Sequence, residues 1–215
     1  MPIRLLIIDD HALVRTGLRL LLAGAGDIEV VGEAATGEDG LALARRLRPD
    51  VALCDLHLPG ISGLEVTSRI VRGDWGTRVL VVSVLEDGPM PKRLLEAGAN
   101  GYVGKNCDAP ELVRAVRTVA SGRRYLAGTI AQAIALSGVE GAGTPFDALS
   151  ARELEVAMLL LRGMRQEDIA RRLSLSAKTV NTHKSRLFGK LGIRDSIALA
   201  RMAGQYGLAN PATAL

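Results

Sequence analysis

Five polar residues stand at the ends of short, branched, apolar runs. Asp9 and Asp10 follow Leu5-Leu6-Ile7-Ile8, Asp55 follows Val51-Ala52-Leu53-Cys54, Ser83 follows Val79-Leu80-Val81-Val82, and Lys105 comes just after Gly101-Tyr102-Val103. Runs of this composition read as buried parallel strands. Carboxylates crowded at the end of such a strand must protonate or bind a cation. A donor set of oxygens, without a histidine or thiolate cluster, suits Mg²⁺, which keeps waters and accepts phosphate oxygens. A carboxylate beside that ion can attack a phosphoryl group and become an aspartyl phosphate, with the metal and a lysine neutralising the transition-state oxygens. Asp55 is the candidate nucleophile, because it stands alone on its strand and the Pro59-Gly60 turn soon after it exposes the strand end. Lys105 would supply the opposing charge and Ser83 a hydroxyl for the attached group. Singly, each residue has a structural reading as well: Asp9 and Asp10 start a helix, Asp55 caps a turn, Ser83 bonds its own backbone, Lys105 decorates the surface. Their recurrence at successive strand ends is what argues for chemistry. His11 and His57 are lone histidines and are not assigned as side-chain metal ligands.

Positioning these side chains requires a particular frame. Strand-like runs at Arg4 to Ile8, Glu29 to Gly32, Asp50 to Cys54, Val79 to Val82 and Gly101 to Val103 alternate with segments of helical period. The helical segments are Leu13 to Leu22, Gly37 to Leu47, Gly63 to Val71, Pro91 to Ala97 and Pro110 to Ala120, three of them preceded by a capping Thr36, Ser62 or Asp108. Fivefold βα alternation specifies an α/β fold, a doubly wound five-stranded parallel sheet with helices on both faces. In the order 2-1-3-4-5 the first, third and fourth strands are neighbours, and ligands gather beyond their carboxyl ends.

The rest of the chain changes character. A helix is expected near 127–136, then Ser137 to Pro145 has the Gly/Pro punctuation of a linker. Four helices follow: Ala151 to Leu161 with Ser150 as cap and Glu153 at the third helical position, Glu167 to Leu173, Ala177 to Leu191 after Ser176, and Ser196 to Tyr206. The expected division is 1–121, a linker over 122–148, and a small all-α domain over 149–215. Met1 to Ala148 hold 16 Lys/Arg against 18 Asp/Glu, whereas Leu149 to Leu215 hold 11 against 5, so the second part carries +6. Arg171 to Arg194 has seven basic residues and no acidic one, a footprint suited to phosphates although also to a solvated helix face. Ile169, Leu173, Leu175, Val180, Leu187 and Leu191 recur at helical spacing as a buried face. Opposite them Lys178, Asn181, Thr182 and Ser185 fall at i, i+3, i+4 and i+7, able to reach base edges, with Thr179 beside them and Lys184, Arg186 and Lys190 for phosphates. A helix of this kind enters a major groove. Cys54 and Cys107 are too few for a metal cluster and read as small buried hydrophobes in a reducing compartment. No apolar run approaches the length of a membrane span, which points to a cytoplasmic protein.

LLIIDDHALVRTGL, DVALCDLHLPGISGLEV, VLVVSVLE and GANGYVGK resemble the receiver domain of two-component response regulators, from Ile3 to about Ser121. The resemblance implies a flavodoxin-like receiver in which Asp55 accepts phosphate. It also implies that Asp10, Asp55 and the backbone carbonyl of His57 bind Mg²⁺ with help from Asp9, that Lys105 pairs with the phosphoryl group, and that Ser83 and Tyr102 relay a switch. Ser83 replaces the threonine of many relatives, and Gly104 adds backbone freedom beside Lys105. LSARELEVAMLLLRGMRQEDIARRLSLSAKTVNTHKSRLFGKLGIR resembles the LuxR-type helix-turn-helix, with Gln166 to Ser185 as the motif, Ala177 to Lys190 as recognition helix, and the last helix as a pairing element on DNA. Together they resemble the NarL/FixJ class, and RYLAGTIAQAIALS, TPFDALSAREL and SAKTVNTHKSRLFGKL resemble its GacA/UvrY subgroup. That implies a sensor histidine kinase, promoter double-stranded DNA and RNA polymerase as partners, homodimers when phosphorylated, and activation of small regulatory RNA genes. It implies no enzyme beyond the receiver's own phosphoryl transfer and dephosphorylation. Two other functions fit the residues: a constitutive DNA binder whose receiver is only a dimer scaffold, and a Mg²⁺-dependent phosphohydrolase. The second lacks a separate acid two residues from the nucleophile and a substrate-closing segment.

Overall fold

The computed structural model of the protein describes residues 1–83, 90–128, 130–131, 144–173 and 175–206. The chain separates into two compact units, with the break between residues 131 and 144. In the first, strands β1 (Ile3–Ile8), β2 (Ile28–Ala34), β3 (Val51–Asp55), β4 (Arg78–Ser83) and β5 (Gly101–Gly104) alternate with helices α1 (Ala12–Ala23), α2 (Gly37–Leu47), α3 (Gly63–Gly73), α4 (Met90–Glu96) and α5 (Ala109–Ala120). All pairings are parallel, and the order begins β2-β1-β3-β4-β5 as expected. The sheet does not stop at five: β6 (Tyr125–Leu126) adds a sixth strand, parallel to β5. Two residues offer no periodicity to read in a sequence. What recruits them is the open edge of β5, where Tyr125 N–H donates to Asn100 O at 3.1 Å and Ala127 N–H to Tyr102 O at 3.2 Å, satisfying carbonyls an edge would leave bare. This strand falls within the stretch read as linker. Gly128, Ile130 and Ala131 are helical; the remainder of the helix expected near 127–136 lies outside the described residues.

Leu5, Ile7, Val51, Leu53, Leu80, Val82 and Val103 form one core with Leu22 of α1 and Leu112, Val116 and Val119 of α5. The alternate residues Leu6, Ile8, Ala52, Cys54 and Val81 are also buried, so the central strands are covered on both faces and lack polar alternation. Local chemistry sets the helix starts. Thr36 Oγ1 accepts Asp39 N–H at 3.1 Å, Ser62 Oγ accepts Glu65 N–H at 3.3 Å, and Asp108 Oδ1 accepts Glu111 N–H at 2.7 Å.

The second unit holds a 3₁₀ turn (Pro145–Ala148) and helices α6 (Ala151–Leu161), α7 (Gln166–Arg172), α8 (Ala177–Leu191) and α9 (Ser196–Gln205). Ser150 and Glu153 make the expected reciprocal cap: Ser150 Oγ accepts Glu153 N–H, and Glu153 Oε2 accepts Ser150 N–H at 2.7 Å. Gly163, at φ 74°, breaks the chain between α6 and α7, a conformation glycine adopts without a Cβ penalty. The tight turn before α8 is pinned twice, by Leu175 N–H to Ala170 O and by the Gln166 side chain to Ala177 O, both at 2.8 Å. Ile169, Leu173, Val180, Leu187 and Leu191 are buried as expected. Leu175 departs: it is only half buried, because it sits in the turn and not on a helix face.

Candidate functional site

Strand register assembles the acidic site. Ile8 pairs with Cys54, so Asp9 and Asp55 are the next residues in line on adjacent strands. Asp55 pairs with Val82, placing Ser83 one step beyond it, and Ser83 pairs with Gly104, placing Lys105 beyond that. Lys105 N–H donates to Ser83 O at 2.8 Å, which anchors the loop carrying the ammonium group. The Lys105 Nζ lies 2.8 Å from both Asp9 Oδ2 and Asp55 Oδ2. Asp9 and Asp55 are 2% and 3% exposed, so this bridge sits where charge is poorly screened. The like charges that crowd the end of the first strand are thus partly neutralised from within the chain.

Burial pushes the Asp55 carboxyl up to about 6, with the Lys105 ammonium opposing the rise, the charge of Asp9 adding to it, and the backbone N–H of His57 favouring the ionised form. Burial also disfavours charge on Lys105, but the two carboxylates outweigh it and hold Lys105 above its ordinary value. Cys54, next to Asp55, is buried and its thiol is pushed far above its usual range by burial and by the neighbouring carboxylates, so it takes no part as a thiolate.

Asp10 is less enclosed, with its Oδ1 2.6 Å from His11 Nδ1. His11 N–H donates to Asp9 Oδ1 at 2.8 Å, and the Arg15 guanidinium donates to Asp9 O at 2.7 Å. One ligand atom from each of Asp9, Asp10, His11 and Asp55 lies within 4.8 Å of the others. Sequence reasoning set His11 aside; its place directly after the acid pair, as the residue that starts α1, was the available signal. His57 is buried at 5% exposure, two residues after Asp55. Ser83 and Tyr102 are fully buried, Tyr102 in register with Val81 on β4.

The residues fit a hard dication. Asp55 Oδ1 is buried and no side-chain donor meets it, while its other oxygen is held by Lys105. An unpaired carboxylate oxygen in such surroundings is costly unless a cation or hydrogen-bond donor meets it. The donors are predominantly carboxylate oxygens, the chemistry Mg²⁺ prefers.

In the second unit α8 presents Lys178, Asn181, Thr182, Ser185 and Arg186 to solvent. The other three expected contacts, and Thr182 among these five, are more constrained. Thr179 Oγ1 lies 2.8 Å from Ser176 Oγ within the helix cap, and Thr182, though exposed, donates its hydroxyl to Lys178 O at 3.0 Å. Lys184 Nζ stands over the Phe188 ring, 5.5 Å from its centre. Lys190 is drawn onto α6, its Nζ 2.6 Å from Glu153 Oε2, a pair between helices that sequence spacing did not reveal. His183 is half buried, and burial with Arg152 and Arg186 nearby lowers its pKa, in keeping with a packed neutral imidazole. Among the described residues no helix is long and apolar enough to cross a membrane.

Residues 5–117 match the response regulator receiver domain, and residues 147–203 match the luxR family of bacterial regulatory proteins. Over 213 residues the chain is 43% identical to the response regulator GacA of Pseudomonas aeruginosa, covering 98% of this chain and 100% of that one. It is 41% identical to the response regulator UvrY of Escherichia coli over 213 residues, 98% of each chain. Among solved structures it is similar to a LuxR-family two-component response regulator from Aurantimonas sp., at 37% identity and TM-score 0.62 over 65% of this chain and 99% of that chain. It is also similar to the response regulator ChrA of a heme-sensing two-component system, at 34% identity and TM-score 0.55 over 96% and 98% of the two chains. These relatives are regulators and not enzymes. With a receiver fold whose strand ends collect Asp9, Asp55 and Lys105, and a helix-turn-helix that exposes a polar, basic helix face, the chain belongs to the two-component response regulators with a LuxR-type DNA-binding domain.

Proposed function

We propose that Asp55 accepts a phosphoryl group from a sensor histidine kinase, and that this modification gates dimerisation and promoter binding by the helix-turn-helix. The observation that carries the proposal is the asymmetry of the Asp55 carboxylate, one oxygen held on Lys105 and the other buried with no side-chain donor on it. The unpaired oxygen is the one available to attack phosphorus. Lys105, already 2.8 Å from the carboxylate, pairs with the oxygens of the transferred group, and Ser83 donates its hydroxyl to them. Asp9, Asp10, Asp55 and the carbonyl of His57 would hold Mg²⁺, which when bound neutralises phosphoryl oxygens in the transition state. Repacking of Tyr102 with Ser83 carries the change to the surface, a two-state shift of a few kcal/mol. Residues 1–121 act as receiver, 122–148 as connector and 149–215 as DNA-binding domain. There Lys178, Asn181 and Ser185 face the bases with Thr179 and Thr182, while Lys184, Arg186 and Lys190 serve the backbone. The likeness to GacA and UvrY supports a cytoplasmic activator of small regulatory RNA genes working with RNA polymerase.

Genome-wide mapping of bound sites with wild type and Asp55→Asn tests this directly. Occupancy that depends on Asp55, together with a phosphate-sized mass increase after acetyl phosphate treatment in Mg²⁺, is the expected result. Unchanged occupancy in Asp55→Asn would make the receiver a mere dimer scaffold, and multiple turnover on a small phosphate ester would make it a phosphohydrolase; either refutes the gating.

A further inference from the structure

A cleft of about 420 Å³ opens between α2 and α3. In parallel βα units the helices run opposite to the strands, so the final turns of α2 and α3 lie at the far end of the sheet from Asp55. Leu41 and Arg45 of α2, Arg69 and Arg72 of α3, and Trp75 line it. Basic residues in the last turn of a helix complement its dipole, and that accounts for Arg45 or Arg72 taken singly. It does not account for their meeting a third arginine and the chain's sole tryptophan in one concavity.

The charges there are under-compensated. Arg69 Nε is paired with Glu65 Oε1 at 2.7 Å. Arg72 donates only to neutral oxygens of Ser68, at 2.6 and 3.1 Å to its Oγ and 3.3 Å to its carbonyl. The Arg45 guanidinium makes no ion pair or hydrogen bond among the described residues. Three guanidinium groups therefore face one carboxylate. The indole is fixed in place by backbone geometry. Asp74, which ends α3, is left-handed at φ 49°, and Gly76 has φ 76°, so the chain folds back on both sides of Trp75. The ring lies over Gly73, where a Cβ would fall 2.4 Å from Trp75 Cε2. Asp74 and Arg48, the residues that close α3 and α2, are the two non-glycine residues of positive φ among those described, a conformation disfavoured for side chains with a Cβ.

We propose that the α2–α3 cleft binds a nucleotide, its base stacked on Trp75 beside Leu41 and its phosphate held by Arg45 and Arg72. The planar fork of arginine matches phosphate oxygens two at a time, and an aromatic face takes any base without hydrogen-bond readout. The volume lies within the range of about 300–1,000 Å³ usual for small-ligand sites, and the apolar ring and leucine favour a base-bearing phosphate over phosphate alone. An acidic peptide would use the arginines and leave the indole without a planar partner.

The lone tryptophan makes the test direct. The full chain, in a metal chelator, is titrated with guanosine and adenosine monophosphates, inorganic phosphate, free adenosine and polyglutamate, following Trp75 fluorescence with red-edge excitation and confirming by calorimetry. Saturable quenching by the monophosphates is expected, with phosphate or adenosine alone at least about tenfold weaker. Arg45→Ala with Arg72→Ala should weaken binding by about tenfold or more, and Asp55→Asn should leave it unchanged. Both arginines are exposed, so the double variant folds. Quenching that never saturates, binding undiminished in the double variant, or saturable binding of polyglutamate without nucleotides each overturns the proposal.

Discussion

Replacing Asp55 with asparagine should make the metal-free protein more stable, although it removes a contact to Lys105. Burial raises the Asp55 pKa from 3.8 to about 6, so near neutral pH the folded state carries an ionised group in a place that disfavours it. The gap between 3.8 and about 6, at about 1.4 kcal/mol per pH unit, is worth about 3 kcal/mol. A carboxyl whose pKa rises on folding contributes stability that is fully present below about 3.8 and is lost as pH climbs through about 6. The wild type should therefore lose receiver stability relative to Asp55→Asn between about pH 4 and pH 7. Lys105 in the variant keeps its partner Asp9 at 2.8 Å, so no buried cation is orphaned. Allowing for relaxation around the site, a gain of about 2–3 kcal/mol is expected, a melting-point rise on the order of 5–10 °C. Trp75, the single tryptophan, lies in the receiver, so its fluorescence follows unfolding of that unit alone. Melts in a chelator at about pH 5 and about pH 7.5 should show the difference widening with pH, and Mg²⁺ should stabilise the wild type and not the variant. A variant no more stable than wild type in chelator at the higher pH, or a difference that does not change with pH, would refute the electrostatic reasoning.

Gly63→Ala should cost at least about 2 kcal/mol and lower phosphorylation by acetyl phosphate, because a Cβ there would lie 2.1 Å from Asp55 O and 2.8 Å from Leu56 Cα; urea unfolding and phosphate incorporation check it. Lys184→Ala should weaken cognate and random DNA alike and reduce the salt slope by about one. Asn181→Ala should relax sequence preference by about 1–3 kcal/mol, and equal losses on both DNAs would remove its base-reading role. Because Lys190 is shared with Glu153 at 2.6 Å, Lys190→Met should reduce the salt slope of binding by less than Lys184→Ala does and cost under about 1 kcal/mol of stability. Glu153→Ala, which also loses the helix cap, should cost about 1–2 kcal/mol by circular dichroism melts.

The helices that begin on Thr36, Ser62, Asp108, Ser150 and Ser176 were legible from the sequence because their caps are local, a side chain meeting an N–H three residues away. The strand order was legible too, because βα alternation and right-handed crossovers leave few ways to stack the runs. Asp9, Asp55, Ser83 and Lys105 converge for the same reason, Asp55 and Ser83 ending their strands and Asp9 and Lys105 standing one step past theirs. Leu175 was misread because a turn residue can share the spacing of a helix face without lying on one.

From the sequence alone followed the elements, their parallel order and the chemistry of the residues at the strand ends, since composition and periodicity act over a few neighbouring positions. Only the tertiary structure decided that Lys105 bridges Asp9 and Asp55, that Tyr125–Leu126 closes onto β5, that Glu153 holds Lys190, and that Trp75 meets the arginines of two helices. Those contacts join residues far apart in the chain, and a contact of that kind is set by which surfaces fold against each other, a property no local stretch of sequence contains.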